Sequence, residues 1–170
     1  MPSRDRSACT LARRARAGCS RRRTCAPARP AAARAKVEEV VPIDALCEEV
    51  LPELGVTILE PRGLKPFELH LLLPLEDDTK ALVMTDALFN LEPCPPKGFK
   101  GLMLKWIGSV GPLGMTRIGR WLLLEDRALA RAYFEDLANT PMLSILCIAH
   151  GESIREEVNA ALNNAAARLG

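Results

Sequence analysis

Two apolar segments of this 170-residue chain each close on a side chain that can bind a cation or move a proton. LVMTD runs into Asp86 and LCIAH into His150, a carboxylate and an imidazole. If both segments are strands of one open α/β sheet, their carboxyl ends share a rim, which is where ligands of such sheets collect. The pair would offer one oxygen and one nitrogen donor to a divalent cation. Plainer roles compete for both residues. Asp86 can accept backbone N–H bonds in the turn before DALFN, and His150 can cap the helix that follows it.

Other candidates sit near these two. Cys147 stands three residues before His150, and an odd offset in a strand sends the two side chains to opposite faces, so Cys147 belongs to the core. His70, the only other histidine, lies inside FELHLLLPL rather than at its end and reads as a core or edge residue. Cys94 follows Asp86 in the proline-rich loop NLEPCPPKG and is the one thiol placed to add a ligand. GSVGPLG at 108–114 is glycine-rich, but it lacks the preceding strand and the following Lys-Ser/Thr of a phosphate-cradling loop and reads as a connection. Ser109, Ser144 and Ser153 have no nucleophile-elbow context, which leaves a Ser-His-Asp arrangement without support.

The elements that must position Asp86 and His150 follow from periodicity. Ile43, Leu46, Val50 and Leu54 recur at helical spacing after Pro42, with Pro52 weakening the helix and Gly55 stopping it. VTILE at 56–60 reads as a strand and PRGLKP as a loop; FELHLLLPL and ALVMTD read as two strands joined by the turn EDDTK and paired antiparallel. Their near-continuous apolar runs imply burial on both faces. FKGLMLKWIGSVGPLGM is ambiguous and reads as a short helix followed by a glycine loop. Asp126 can cap a helix whose Leu129, Ala132, Tyr133 and Leu137 share a face, and LSILCIA at 143–149 is the next strand. Ile154, Val158, Leu162, Ala165 and Leu169 line a closing amphipathic helix. The order strand, strand, strand, helix, strand, helix predicts one layered α/β domain over residues 37–170.

Composition separates a tail from this body. Residues 1–36 hold ten Arg and one Lys against Asp5 alone, with almost no large apolar side chain, which predicts a disordered basic tail. A polybasic arm centred on Arg21, Arg22 and Arg23 and an Arg-rich targeting peptide are its other readings. The remaining residues carry twelve basic and twenty acidic side chains, so the body is acidic. No stretch reaches the roughly 18 continuous apolar residues of a membrane span, so no membrane is expected as a partner. Six cysteines without a C-x-x-C pair point to reduced thiols and a cytoplasmic protein.

ALVMTDALFNL, ILCIAHG and the closing helix together resemble the C-terminal half of metallo-β-lactamase-fold hydrolases. The similarity covers residues 51–169 and is most specific at TDALFN and IAHG; a poorly characterised branch also has a segment similar to GPLGMTRIGRWLLLEDRALARAYFEDL. The resemblance implies the second half of an αββα sandwich. It makes Asp86 the metal-bridging aspartate and His150 the last histidine ligand, with zinc or another divalent metal as cofactor. It also implies hydrolysis of an ester, thioester or amide-type bond by metal-activated water. The chain departs from the family in lacking its H-x-H-x-D-H motif, and in placing Leu64 of PRGLKP where the family has a histidine. A catalytic zinc holds three protein ligands and a water, and two ligands bind an ion weakly without fixing its geometry. The expectation is therefore a hydrolase homologue with an incomplete metal site, inactive or weak as this chain alone, or else a non-catalytic α/β binding or structural module. The implied partners are a small-molecule substrate and either self-association or a missing N-terminal half, which would cover an open sheet face. Nucleic acid, bound through the Arg-rich tail, is the least favoured partner.

Overall fold

The computed structural model describes residues 25–26, 38–39, 45–66, 68–91, 98–106, 108 and 111–169. The expected disordered tail and Cys94 fall outside them, except for Cys25–Ala26. The chain divides into two compact units, Met1–Glu49 and Val50–Gly170. In the first unit, β1 (Cys25–Ala26) pairs parallel with β2 (Ala45–Leu46). The helix expected from position 43 onward is reduced to α1 (Cys47–Val50), followed by a 3-10 turn at Pro52–Leu54. Proline has no N–H to continue the helix, and Gly55 ends the turn at φ 75°.

The second unit is a mixed α/β domain built on a four-stranded sheet in the order β3 (Thr57–Leu59), β4 (His70–Pro74), β5 (Lys80–Asn90), β6 (Leu143–Gly151). The first three strands are antiparallel, and β5 and β6 are parallel. A short connection suffices for the β4–β5 hairpin. Its turn is closed by Asp77, whose Oδ1 accepts from Thr79 N at 3.2 Å and from Thr79 Oγ1 at 2.6 Å. A parallel pair needs a crossover, supplied here by α2 (Gly98–Trp106), α3 (Arg117–Leu122) and α4 (Arg127–Ala138). The ambiguous segment after position 98 is thus a helix at its start. α3, which hydrophobic periodicity did not reveal, is set by Thr116, whose hydroxyl accepts from Gly119 N.

Asp126 caps α4 as its position implies, accepting from Leu129 N at 3.0 Å. The buried face of α4 runs through Ala130, Tyr133, Phe134, Leu137 and Ala138, while Leu129 is exposed. The expected face was therefore rotated by about one residue. The closing helix, α5 (Val158–Ala167), starts four residues later than its periodicity suggests, because Ile154 makes a bridge to Leu146 instead. The core lies on one face of the sheet, where Leu82, Met84 and Leu146 meet Phe134 of α4 and Leu162 of α5. Asn159 of α5 donates a side-chain hydrogen bond to the Ala138 carbonyl and so ties the two helices together. Among the described residues, no helix is long and apolar enough to cross a membrane.

Candidate functional site on the rim of β5 and β6

Asp86 does not end its strand, as the sequence suggested; β5 continues to Asn90. What turns Asp86 outward is an irregularity in the pairing. Met84 is opposite Ile148 and Phe89 is opposite His150, so five steps along β5 match two along β6. The surplus residues bulge from the ladder, and bulges beside a site commonly re-aim a side chain. Beyond the bulge Asn90 pairs with Gly151, whose φ of 115° and close approach to the Asn90 carbonyl leave no room for a Cβ.

The bulge brings the two sequence-nominated residues together. His150 Nε2 lies 2.8 Å from Asp86 Oδ1 although the residues are 64 positions apart. The side chains are 49% and 61% exposed respectively, so the pair faces solvent. Phe89 stacks on the His150 ring with centroids 4.5 Å apart and planes within 8°. Phe89 is in turn held by Gly114 through two backbone hydrogen bonds of 3.0 and 3.1 Å. The imidazole is therefore fixed from its flat side as well as its edge.

Beneath the rim lies a polar chain that the sequence did not reveal. Glu68, with its side chain 2% exposed, accepts the Thr85 hydroxyl and the Asp86 backbone N–H, the latter at 3.1 Å. The carboxylate thus satisfies a backbone donor that the bulge takes out of the ladder. His70 is fully buried, with Nε2 3.6 Å from Glu68 Oε2 and Nδ1 2.7 Å from the Tyr133 hydroxyl. Tyr133 donating to Nδ1 leaves a proton on Nε2, facing the carboxylate. Burial alone would raise the Glu68 carboxyl. The proximity of the His70 imidazole, with hydrogen bonds from Thr85 and the Asp86 N–H, outweighs it and holds the group below its ordinary value. Burial pushes the Tyr133 phenol well above its usual range, against the opposing charge of Arg62, so its O–H remains a donor.

The remaining nominated residues stay apart from the pair. His70 is a core histidine, although it opens β4 instead of lying inside the strand as the sequence suggested. Cys147 pairs across the ladder with Val83 and lies partly buried within the sheet. Leu64 is buried in the core and can supply no ligand. Among the described residues no group of three or more His, Cys, Asp or Glu is placed to hold a metal ion. In donor chemistry Asp86 and His150 suit a divalent cation. Two donors of one ion at about 2.1 Å each stand about 3.4 Å apart at a tetrahedral angle, so an ion would have to part this directly bonded pair by roughly half an ångström. No family model matches this chain, and no curated protein matches it.

Proposed function

We propose that residues 50–170 are a metallo-β-lactamase-like half-domain in which Asp86 and His150 form a two-donor remnant of a metal site. On this reading the chain is a homologue of metal-dependent hydrolases that is inactive, or weakly active, by itself. The observation that supports it is the convergence on one rim of a carboxylate and an imidazole 64 positions apart, at the point where β5 leaves its ladder. Zinc or a similar divalent ion would be bound by one carboxylate and one imidazole. Its chemistry, when bound, would be to acidify a water. A second protein chain carrying histidines would have to complete the ligand set, and a small molecule would be the substrate. A cytoplasmic location belongs to this reading, since the cysteines show no C-x-x-C spacing.

The test is metal content after purification without chelator, together with calorimetric titration of Zn²⁺ into the native chain, Asp86→Ala and His150→Ala. The native chain should bind about one equivalent, and each variant should weaken binding by roughly tenfold or more. Equal, near-zero binding in all three would remove the metal reading. A hydrogen-bonded pair with no affinity for metal is what the alternative requires, a non-catalytic α/β module in which His150 and Asp86 only fasten β6 to the bulge of β5. The direct contact between the two residues favours that second reading.

A further inference from the structure

The glycine-rich segment before α3 does not serve only as a connection. Its described glycines, with Arg120 of α3 and Arg168 just past α5, line a cavity of about 170 Å³. Arg120 and Arg168 lie in its wall with Phe89, Pro112, Met115 and Gly108, Gly111 and Gly114, and no Asp or Glu lines it among the described residues. Arg168 Nη1 donates to the Pro112 carbonyl at 3.0 Å and lies 3.4 Å from that of Leu113, which fixes the loop around the cavity. Arg120 has a buried Nε with no hydrogen-bond partner among the described residues. A buried guanidinium N–H left unmatched is costly, and an acceptor with negative charge is what satisfies it best. The cavity is smaller than the roughly 300 Å³ at which pockets for drug-sized ligands begin, which restricts it to a small ligand or one end of a larger one.

We propose that this cavity is an oxyanion site, taking a phosphate or carboxylate group between Arg120 and Arg168. Arg120 and Arg168 supply positive charge from the cavity wall, and the unmatched, buried Nε leaves the Arg120 charge without a counter-charge of its own among the described residues. The glycines let backbone come close to the ligand where a side chain would stand in the way. Phe89 is shared: it lines the cavity and stacks on His150. An anionic group held here would therefore place the rest of the same molecule toward the Asp86–His150 rim. That orienting role rests on the metal-site reading above, whereas the binding of an anion does not.

The experiment is titration of the full chain, in chelator-treated buffer, with inorganic phosphate and separately with succinate. Calorimetry gives the affinity, and the Arg Nε–H cross-peaks in a ¹⁵N–¹H spectrum report the change at each guanidinium group. Saturable binding of one of the two anions is expected, with the Arg120 Nε–H peak, identified by its loss in Arg120→Gln, moving on titration. Arg120→Gln should weaken binding by about tenfold or more, and Arg120→Lys should restore part of it by returning the charge without the fork. Whichever anion binds more tightly identifies the class as phosphate or carboxylate. Asp86→Ala should bind the anion as the native chain does, so loss of metal binding in that variant leaves this result intact. Absence of saturable binding for both anions overturns the proposal. Equal affinity in the native chain and in an Arg120→Gln variant of native amide dispersion also overturns it, since the cations of residues 1–36 would then account for the binding.

Discussion

At the scale of single residues the two layers of the site should respond in opposite ways to substitution. Asp86 and His150 are about half exposed, and ion pairs in that position contribute at most about 1 kcal/mol. Their alanine variants should therefore keep near-native denaturation midpoints while losing whatever metal the chain binds. Glu68 behaves as a structural charge. Its removal in Glu68→Ala takes the acceptor from the part-buried Thr85 hydroxyl and Asp86 N–H, at up to about 1–3 kcal/mol where water does not replace it. Its carboxyl is held below the ordinary glutamate value of 4.5, so the folded state releases this proton more readily than the unfolded chain does. The resulting stability is complete at neutral pH and above 4.5, and it is lost as the pH falls below 4.5 toward the depressed folded value. Urea titrations from pH 7 downward should show a steeper loss below 4.5 for the native chain than for Glu68→Gln, which has no proton to take up there. Parallel curves would mean that the Glu68 carboxylate contributes no charge-dependent stability. Asp86 and His150 were legible in the sequence because each closes an apolar run. Glu68 was not, because an acid two residues before a histidine at the start of a strand carries no pattern of its own. Its meaning arises only when β4 and β5 pair and bring it under the bulge.

At the scale of elements the sequence was legible where one periodicity ruled and misleading where tertiary pairing took over. The β4–β5 hairpin, β6 and the two long helices follow from apolar spacing and from local signals such as the Asp126 cap. The extension of β5 past Asp86 does not, since the residues from 87 to 90 are drawn into the sheet by β6 and by Gly114 rather than by their own pattern. Gly63 is another case where a partner far along the chain sets the requirement. Its φ is 72°, and a Cβ there would stand 2.4 Å from both the Ala130 nitrogen and the Asp126 carbonyl oxygen at the start of α4. The corresponding prediction concerns the end of β6. Gly151→Ala places a Cβ 2.0 Å from the Asn90 carbonyl oxygen at a φ of 115°, so β5 and β6 must separate just past the bulge. We expect a loss of more than about 2 kcal/mol in a denaturant titration. The His150 ring protons should also shift in the NMR spectrum as stacking on Phe89 is lost. A variant that keeps those ring-current shifts would mean that the bulge is held by its own sequence, with Glu68 sufficient to maintain it.

At the scale of the whole molecule, the sheet of the second unit has two unequal faces. Alternation along the paired strands puts His70, Leu72, Leu82, Met84, Leu146 and Ile148 toward α4 and α5. On the other face the same register aligns Ile58, Leu71, Leu73, Ala81, Val83, Ile145 and Cys147. Every one of these is apolar or a thiol. All but Ala81 are only partly buried, and the other six lie outside the main core cluster and the side chains packed against it. Solvated sheet faces ordinarily alternate to polar residues, so a face of this composition is built to be covered. The apolar runs in the strands predicted two-sided burial; among the described residues one face carries the main core and the other is partly buried without joining it. If residues 50–170 are one half of a layered sandwich, as proposed, they should self-associate through this face, or bind whatever supplies the other sheet. Sedimentation velocity on the native chain should show a concentration-dependent rise in mass, and Leu73→Lys combined with Val83→Lys should abolish it. Neither substitution touches the packed face, so the double variant should keep its helical circular dichroism. A native chain that stays monomeric at every concentration would instead mean that the aliphatic face is tolerated in water, and the reading of this unit as half of a larger fold would lose its main structural motive.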